Sequence, residues 1–403
     1  MSPLDGVRVI DLTRYLAGPM AAMMLGDLGA DVIKIEPLPA GDAARQSGPF
    51  ADGESVYYMA SNRNKRSIGL DLRSEAGRDV LYRLIDGADV FIENFRPGTA
   101  VAMGLGPDVL MARNPRLVYV SISGFGNTEA GADLPGFDQT VQAMSGLMSV
   151  TGTEETGPLR AGIAVADAGT GAFATAGILA ALFERERTGV GTTVEASLMQ
   201  SMMSMINYQA QAVLSLDIVP GRNGNDHPIM FPQGTFKAGT GAVTIACGNE
   251  KMWRRLCVAI DMPELAEDDR YADNAGRMDN RRELRRIIED ALADRSAEEW
   301  IDAINEAGVP CGPVLDLAQA LEHPTTLALG LVQEVDHPTL GSMRVLGKAL
   351  TIGGDPRTIR RHPPLLAEHT EEILEELGYS PDEAAGLVAT GAAVMGRSPA
   401  LAK

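Results

Sequence analysis

Cysteine is scarce in this chain. Its 403 residues include three, Cys247, Cys257 and Cys311, none in a C-x-x-C pair. Neither a disulfide framework nor a zinc cluster is expected, and the three read as small buried hydrophobes. Histidine is nearly as rare. His227, His323, His337 and His362 each precede proline, which biases them toward extended backbone, and His369 is expected to cap a helix. No H-E-x-x-H, G-x-S-x-G or carboxylate–histidine cluster occurs, so metal catalysis and a serine triad lack their residues. Positive charge is in deficit, with 35 Lys and Arg against 54 Asp and Glu and a net charge of -19. That argues against nucleic acid or an anionic membrane as partners, but leaves room for an anionic ligand in a local basic pocket. The longest apolar stretch, Ala161 to Phe183, is interrupted by Asp167 and rich in Gly, Ala and Thr, so no membrane span is expected. The first residues lack the basic segment of a signal peptide, and the cytoplasm is the expected location.

Hydrophobic residues make up 45% and charged residues 22%, a globular balance, and the length favours two domains. Residues 7–11 read as a strand, Gly18-Pro19 opens a helix running to about Leu28, and 31–36 read as the next strand. The alternation continues with a strand at 67–72, a helix at 75–85 and strands at 90–93 and 117–122, which predicts a mostly parallel sheet flanked by helices. From about residue 138 the pattern becomes helical. The methionine-rich stretch 194–214 reads as core or subunit interface, and 221–232 as a Gly/Pro/Asn linker. A strand at 242–247 and helices at 277–290 and 297–306 suggest a smaller α/β domain over 225–325. A last helix is expected at 368–377.

The first β-α-β unit invites a nicotinamide reading, with Glu36 placed for a ribose. The turn after the first strand, Thr13 to Pro19, lacks G-x-G-x-x-G, so an NAD-dependent oxidoreductase is the alternative of a different class. Glu93-Asn94-Phe95-Arg96-Pro97-Gly98 follows a strand and offers an amide, an aromatic face and a guanidinium. These groups suit an adenine ring and a phosphate, although the local sequence alone favours a simple turn at Pro97-Gly98 with Arg96 solvated. Asn62 to Ser67 forms a second basic loop. Asp167, in Ala166-Asp167-Ala168-Gly169-Thr170-Gly171, stands where a long helix begins. A helix N-terminus lowers a carboxyl pKa, and an ionised carboxylate can attack an acyl group. A plain N-cap accounts for the same residue.

Taken together these segments resemble the family III CoA-transferases. The resemblance is carried by Asp11-Leu12-Thr13-Arg14, Leu16-Ala17-Gly18-Pro19, residues 29–36 and 62–68, Glu93 to Gly98, Ser123-Gly124-Phe125-Gly126, Ala166 to Gly171, and Leu366-Ala367-Glu368-His369-Thr370. It implies a Rossmann-like large domain over 1–220 and 326–403, a small α/β domain inserted at 225–325, and an interlaced homodimer. It implies Asp167 as the catalytic nucleophile, with CoA or substrate contacts at Leu16, Ala17, Leu70, Arg73, Asn94, Phe95, Arg96, Phe137 and Asp138. A CoA thioester and a free carboxylic acid would be the substrates, succinyl-CoA a candidate donor, and no cofactor would be bound permanently. Space for the thioester and oxyanion donors are expected near Gly169. The tetraglycine loop of the formyl-CoA enzymes is absent, since 236–241 reads Phe-Lys-Ala-Gly-Thr-Gly. The α-methylacyl-CoA racemase branch of the family is the second reading. Its members place His before Asp, whereas Gly136-Phe137-Asp138 stands here. Glu250, where racemases carry a further acid, is either functional or a helix cap.

Overall fold

The computed structural model describes residues 2–353 and 358–396. The chain divides into two compact units, one of Met1–Leu147, Ala161–Ala210 and Pro324–Lys403, the other of Met148–Arg160 and Gln211–His323.

The larger unit is built on a seven-stranded sheet of β1 (Arg8–Leu12), β2 (Asp31–Pro37), β3 (Lys65–Leu70), β4 (Val90–Glu93), β5 (Val118–Ser123), β6 (Thr193–Ser197) and β7 (Ala393–Val394). Their spatial order is β6-β5-β4-β1-β2-β3-β7. All neighbours are parallel except β7, which runs antiparallel to β3. Read from β3, this is the 3-2-1-4-5-6 order of a doubly wound sheet, and the order reverses between β1 and β4.

The strands are apolar runs because both faces are covered. Ile10, Leu12, Ile33, Ile35, Ile68 and Phe91 pack on one face with Val80, Leu81 and Leu84 of a helix at Glu75–Asp86. Val9, Val32, Val90, Ile92, Val118 and Val120 pack on the other with α1 (Ala17–Asp27) and a long helix, α2 (Val165–Thr188). α2 alone is long and apolar enough to cross a membrane by composition, among the described residues. Here its buried face, Ala166, Ala174 and Ile178, lies in the core. Gly171 permits this packing: a Cβ there would sit 2.9 Å from the Ala17 carbonyl oxygen.

Two local expectations are corrected, and one element is new. The stretch 194–214 opens not as helix but as β6, where the β-branched Thr193 and Val194 pair with β5 at the sheet edge; the helix α3 (Leu198–Ile206) starts only after Ser197, whose side chain accepts from the Gln200 N–H. His369 does not cap the helix it precedes: its Nδ1 accepts from the Ser67 N–H at 3.3 Å, tying that segment to β3. The antiparallel pair Val332–His337 and Gly341–Leu346 was not foreseen.

In the smaller unit, strands Gln233–Lys237, Ala242–Ala246 and Cys311–Pro313 form an antiparallel sheet around a core containing Trp253, Trp300, Phe236 and Ile288. The helix expected at 277–290 is split at Asn280, whose side chain donates to the Gly276 carbonyl at 2.9 Å and closes the first segment. The stretch 221–232 lies within this unit. Asn249, not Glu250, caps the helix that follows, accepting from the Met252 N–H at 3.0 Å. The Glu250 carboxylate is held instead by two hydrogen bonds from buried Arg277, at 2.7 and 2.9 Å, and this pairing lowers its pKa.

Candidate active site

Ligands of doubly wound sheets bind beyond the carboxyl ends of the strands, at the point where strand order reverses. Here the loops after β1 and β4 meet at that point. Asn94 accepts from the Arg14 N–H and donates to the Arg14 carbonyl, both at 2.8 Å. The Asn94 amide therefore serves as a clamp between the two loops, and is not the free adenine-binding group expected of it. The clamp sets the Arg14 guanidinium over the Phe95 ring, 5.1 Å from its centre.

Below this loop lies a buried ionic cluster. Asp11 accepts from the Thr13 N–H at 2.9 Å and from Lys65 Nζ at 2.8 Å. Lys34 Nζ donates to the Thr13 carbonyl at 2.8 Å and pairs with Asp42 at 2.9 Å. Asp42 in turn accepts from the N–H of Tyr15, which has a left-handed φ of 66°. Desolvation of Asp11 is outweighed by Lys34 and Lys65, and its pKa falls. Lys65 yields to burial, with its pKa lowered to about 8.

Asp167 sits in the first turn of α2 and lines a cavity of about 330 Å³ with Arg14, Tyr15, Leu16, Tyr57, Arg96 and Phe137. The cavity also takes in the end of β5. There Gly124 and Gly136 lie back to back, and a Cβ on either would collide with the other's backbone. This close approach seats the loop carrying Phe137 and Asp138. Phe137 is exposed and meets Tyr15 edge-on, ring centres 5.9 Å apart.

The helix start was expected to lower the Asp167 pKa, but the structure reverses this. The free N–H groups of a helix terminus supply its positive end, and in α2 they are already engaged. Val165 donates to the Ile163 carbonyl, Ala168 to the Ala164 carbonyl, and Ala166 and Asp167 to the Asp138 carboxylate. No hydrogen bond reaches the Asp167 carboxylate from any described residue. Burial, and then the negative charge of Asp138, push its pKa up to about 7. The nearby glycines do not hold space for a thioester either. A Cβ on Gly169 would meet Met205 Sδ at 2.5 Å, and Gly171 packs on α1. As the fifth residue of α2, Gly169 has its N–H in the helical ladder, so it is not the oxyanion donor expected there. The cavity contains an O–H donor that sequence reasoning passed over: Tyr57, whose pKa is raised by burial and by Asp167, so that it keeps its proton.

A groove of about 890 Å³ adjoins this cavity and shares Arg14 and Phe95 with it. Arg73, largely exposed, stands on its rim, paired with Asp71 at 2.9 Å. Arg78 lines the groove as well, donating to the Leu72 and Arg73 carbonyls. Leu70, fully buried, lies in the wall of the groove, and Ala17, nearly so, lies in the wall of the cavity, which leaves both as supports. Arg14 and Arg96 have no acidic partner among the described residues, a notable pair of free cations in so acidic a chain.

The model of CoA-transferase family III matches residues 4–370. The chain belongs to that family. It is an enzyme that transfers CoA. The human succinyl-CoA:glutarate CoA-transferase is 37% identical over 96% of this chain and 88% of that protein. The acetyl-CoA:oxalate CoA-transferase of Acetobacter aceti is 41% identical over 93% of this chain and 95% of that protein. A crystal structure of a CAIB/BAIF family protein from Brucella suis is 36% identical, with a TM-score of 0.83, covering 93% of this chain and 99% of that one.

Proposed function

We propose that this enzyme moves CoA from an acyl-CoA to a free carboxylic acid through covalent intermediates on Asp167. The observation that carries the reading is a carboxyl without hydrogen-bond partners, lining a cavity together with the free guanidiniums of Arg14 and Arg96, beside a groove that shares Arg14. A nucleophile must not be over-stabilised, and a carboxylate that is neither paired nor hydrogen-bonded has little to lose on attack. In its ionised form Asp167 attacks the donor thioester carbonyl and expels CoA thiolate, leaving a mixed anhydride. The thiolate attacks the aspartyl carbonyl, releasing the donor acid and forming an aspartyl-CoA thioester. The acceptor carboxylate attacks that thioester and expels the thiolate again. The thiolate then attacks the acyl carbonyl of the new anhydride, which regenerates Asp167 and gives the product acyl-CoA. Tyr57 donates to the oxyanions. Arg14, Arg96, Arg73 and the Phe95 face hold the CoA nucleotide, with Leu16 and Phe137 along its arm. No resident cofactor is required.

Both curated relatives described above pair CoA with a dicarboxylate, glutarate or oxalate, by their names. A dicarboxylate is accordingly proposed as one substrate here, with succinyl-CoA as donor. The protein is further proposed to act in the cytoplasm, with a Rossmann-like larger domain, an inserted smaller one and an interlaced homodimer. Exposed Leu214, Val219 and Leu317 supply apolar surface for a second copy. The test is to incubate the protein with succinyl-CoA and a panel of free acids, reading new acyl-CoA species by mass spectrometry. Wild type is expected to form them and Asp167→Ala is not, at unchanged CoA affinity. Full activity in Asp167→Ala would sink the mechanism.

A further inference from the structure

Gln142 touches neither the cavity nor the groove, yet it is fully buried. It lies one helical turn after Asp138 in the helix Asp138–Met144. Its carboxamide is engaged at both ends. Nε2 donates to Asp138 Oδ2 at 2.6 Å and to the Ile163 carbonyl at 3.3 Å, and Oε1 accepts from the Ala161 N–H at 2.8 Å. Residues 161–163 lead directly into α2. The other Asp138 oxygen accepts from the Ala166 N–H at 2.8 Å and, longer, from the Asp167 N–H at 3.5 Å. One amide thus grips both things that fix Asp167: the carboxylate that caps its helix turn and the segment that delivers it.

We propose that Gln142 is a positioning residue for the reaction. Its carboxamide fixes Asp138 and residues 161–163 so that the Asp167 carboxyl enters the cavity in one orientation and at one distance from the Asp138 charge.

The inference rests on Asp167 being the nucleophile. The chemistry at position 142 is restrictive. The group must donate to a carboxylate and accept from an N–H within one planar unit, which an amide does. Glutamate has the same shape and keeps the acceptor, but when ionised it sets a second carboxylate against Asp138, and like charges at that separation share a proton. When protonated, glutamate can donate as the amide does. The other titratable and charged groups at the cavity are Tyr57, the Tyr15 phenol, Arg14 and Arg96, which line it with Asp167, and Asp42, whose charge acts on Tyr57 as those of Asp167 and Asp138 do. None of them changes in a position-142 variant.

The experiment compares wild type, Gln142→Glu and Gln142→Met in kcat and kcat/KM for succinyl-CoA between pH 5.5 and 9, with circular dichroism of each. Gln142→Met is expected to lose tenfold or more in kcat with KM within about twofold, and to move the acidic limb of kcat/KM by half a pH unit or more. Gln142→Glu is expected to approach wild type at the acid end, its activity relative to wild type falling at least fivefold as pH rises. Should Gln142→Met fail to fold, the pH dependence of that ratio carries the test alone, because partial unfolding scales activity without such a trend across the range where the spectrum is constant. A ratio flat with pH at a constant spectrum, or wild-type kcat in Gln142→Met, would overturn the proposal. If Asp167→Ala retained full activity, the nucleophile itself would be wrong. If Asp167 proved essential while position 142 was silent, only the present inference would fall.

Discussion

Two groups of buried carboxyls lie within the same unit and meet opposite fates. Asp11 and Glu36 are fully buried and both have lowered pKa values, because each is surrounded by cations and donors: Lys34 and Lys65 for Asp11, Arg45 and Ser67 for Glu36. Asp167 is less buried, has neither, and its pKa rises to about 7. Burial penalises all three. What separates them is the partner set. In the first group Asp11 holds the loop after β1 in shape and Glu36 holds the segment after β2. The second is left under-satisfied, as a group meant to react would be.

Breaking the satisfied cluster is expected to have the largest effect. Asp11→Ala leaves Lys34 and Lys65 without their shared partner, and should cost about 3–5 kcal/mol of stability, read as a lowered urea midpoint at unchanged slope. A cost under about 1 kcal/mol would mean the network is incidental.

The free cations come next. Arg96→Ala, and separately Arg14→Ala, should weaken CoA binding by about 1–3 kcal/mol, the scale of a charge-assisted hydrogen bond, measured by calorimetry with stability unchanged. Unaltered affinity would return both residues to the solvated surface.

The smallest effect has the opposite sign to the first. Because the Asp167 pKa in the folded protein lies above its unfolded value, ionising it costs stability; the cost is absent below about pH 4 and complete above about pH 7. Asp167→Asn should therefore be more stable than wild type at pH 8 by roughly 1–2 kcal/mol, discounted for the partial exposure of the group. The gain should vanish toward pH 4. A variant less stable than wild type at pH 8 would show that Asp167 is satisfied by something else.

Much of this architecture was legible in the sequence. The strands of the sheet are short apolar runs because both faces are covered, and such runs stand out between helical stretches; β1, β2 and β4 emerged within a residue or so. Asp167 at a helix start was legible from the small residues around it. Its environment was not, because that depends on Asp138, which is 29 positions away and meets it only in the fold. Asn94 similarly looked free for a ligand, since its partner Arg14 is 80 positions distant. A helix terminus lowers a carboxyl pKa only through N–H groups with nothing else to bind, and Asp138 takes two of those of α2. Tyr57 carries no chemistry in the sequence and gains it only where the cavity brings it together with Asp167.

The central claim, that Asp167 is the nucleophile and reacts once ionised, is tested most directly by trapping. Protein incubated with succinyl-CoA and hydroxylamine is digested and mapped by mass spectrometry across pH 5 to 9. The account predicts a hydroxamate on Asp167, its initial rate of formation rising with one ionisation and reaching half its plateau near pH 7. Modification of a different residue, or continued CoA transfer with Asp167 unmodified at every pH, would contradict it.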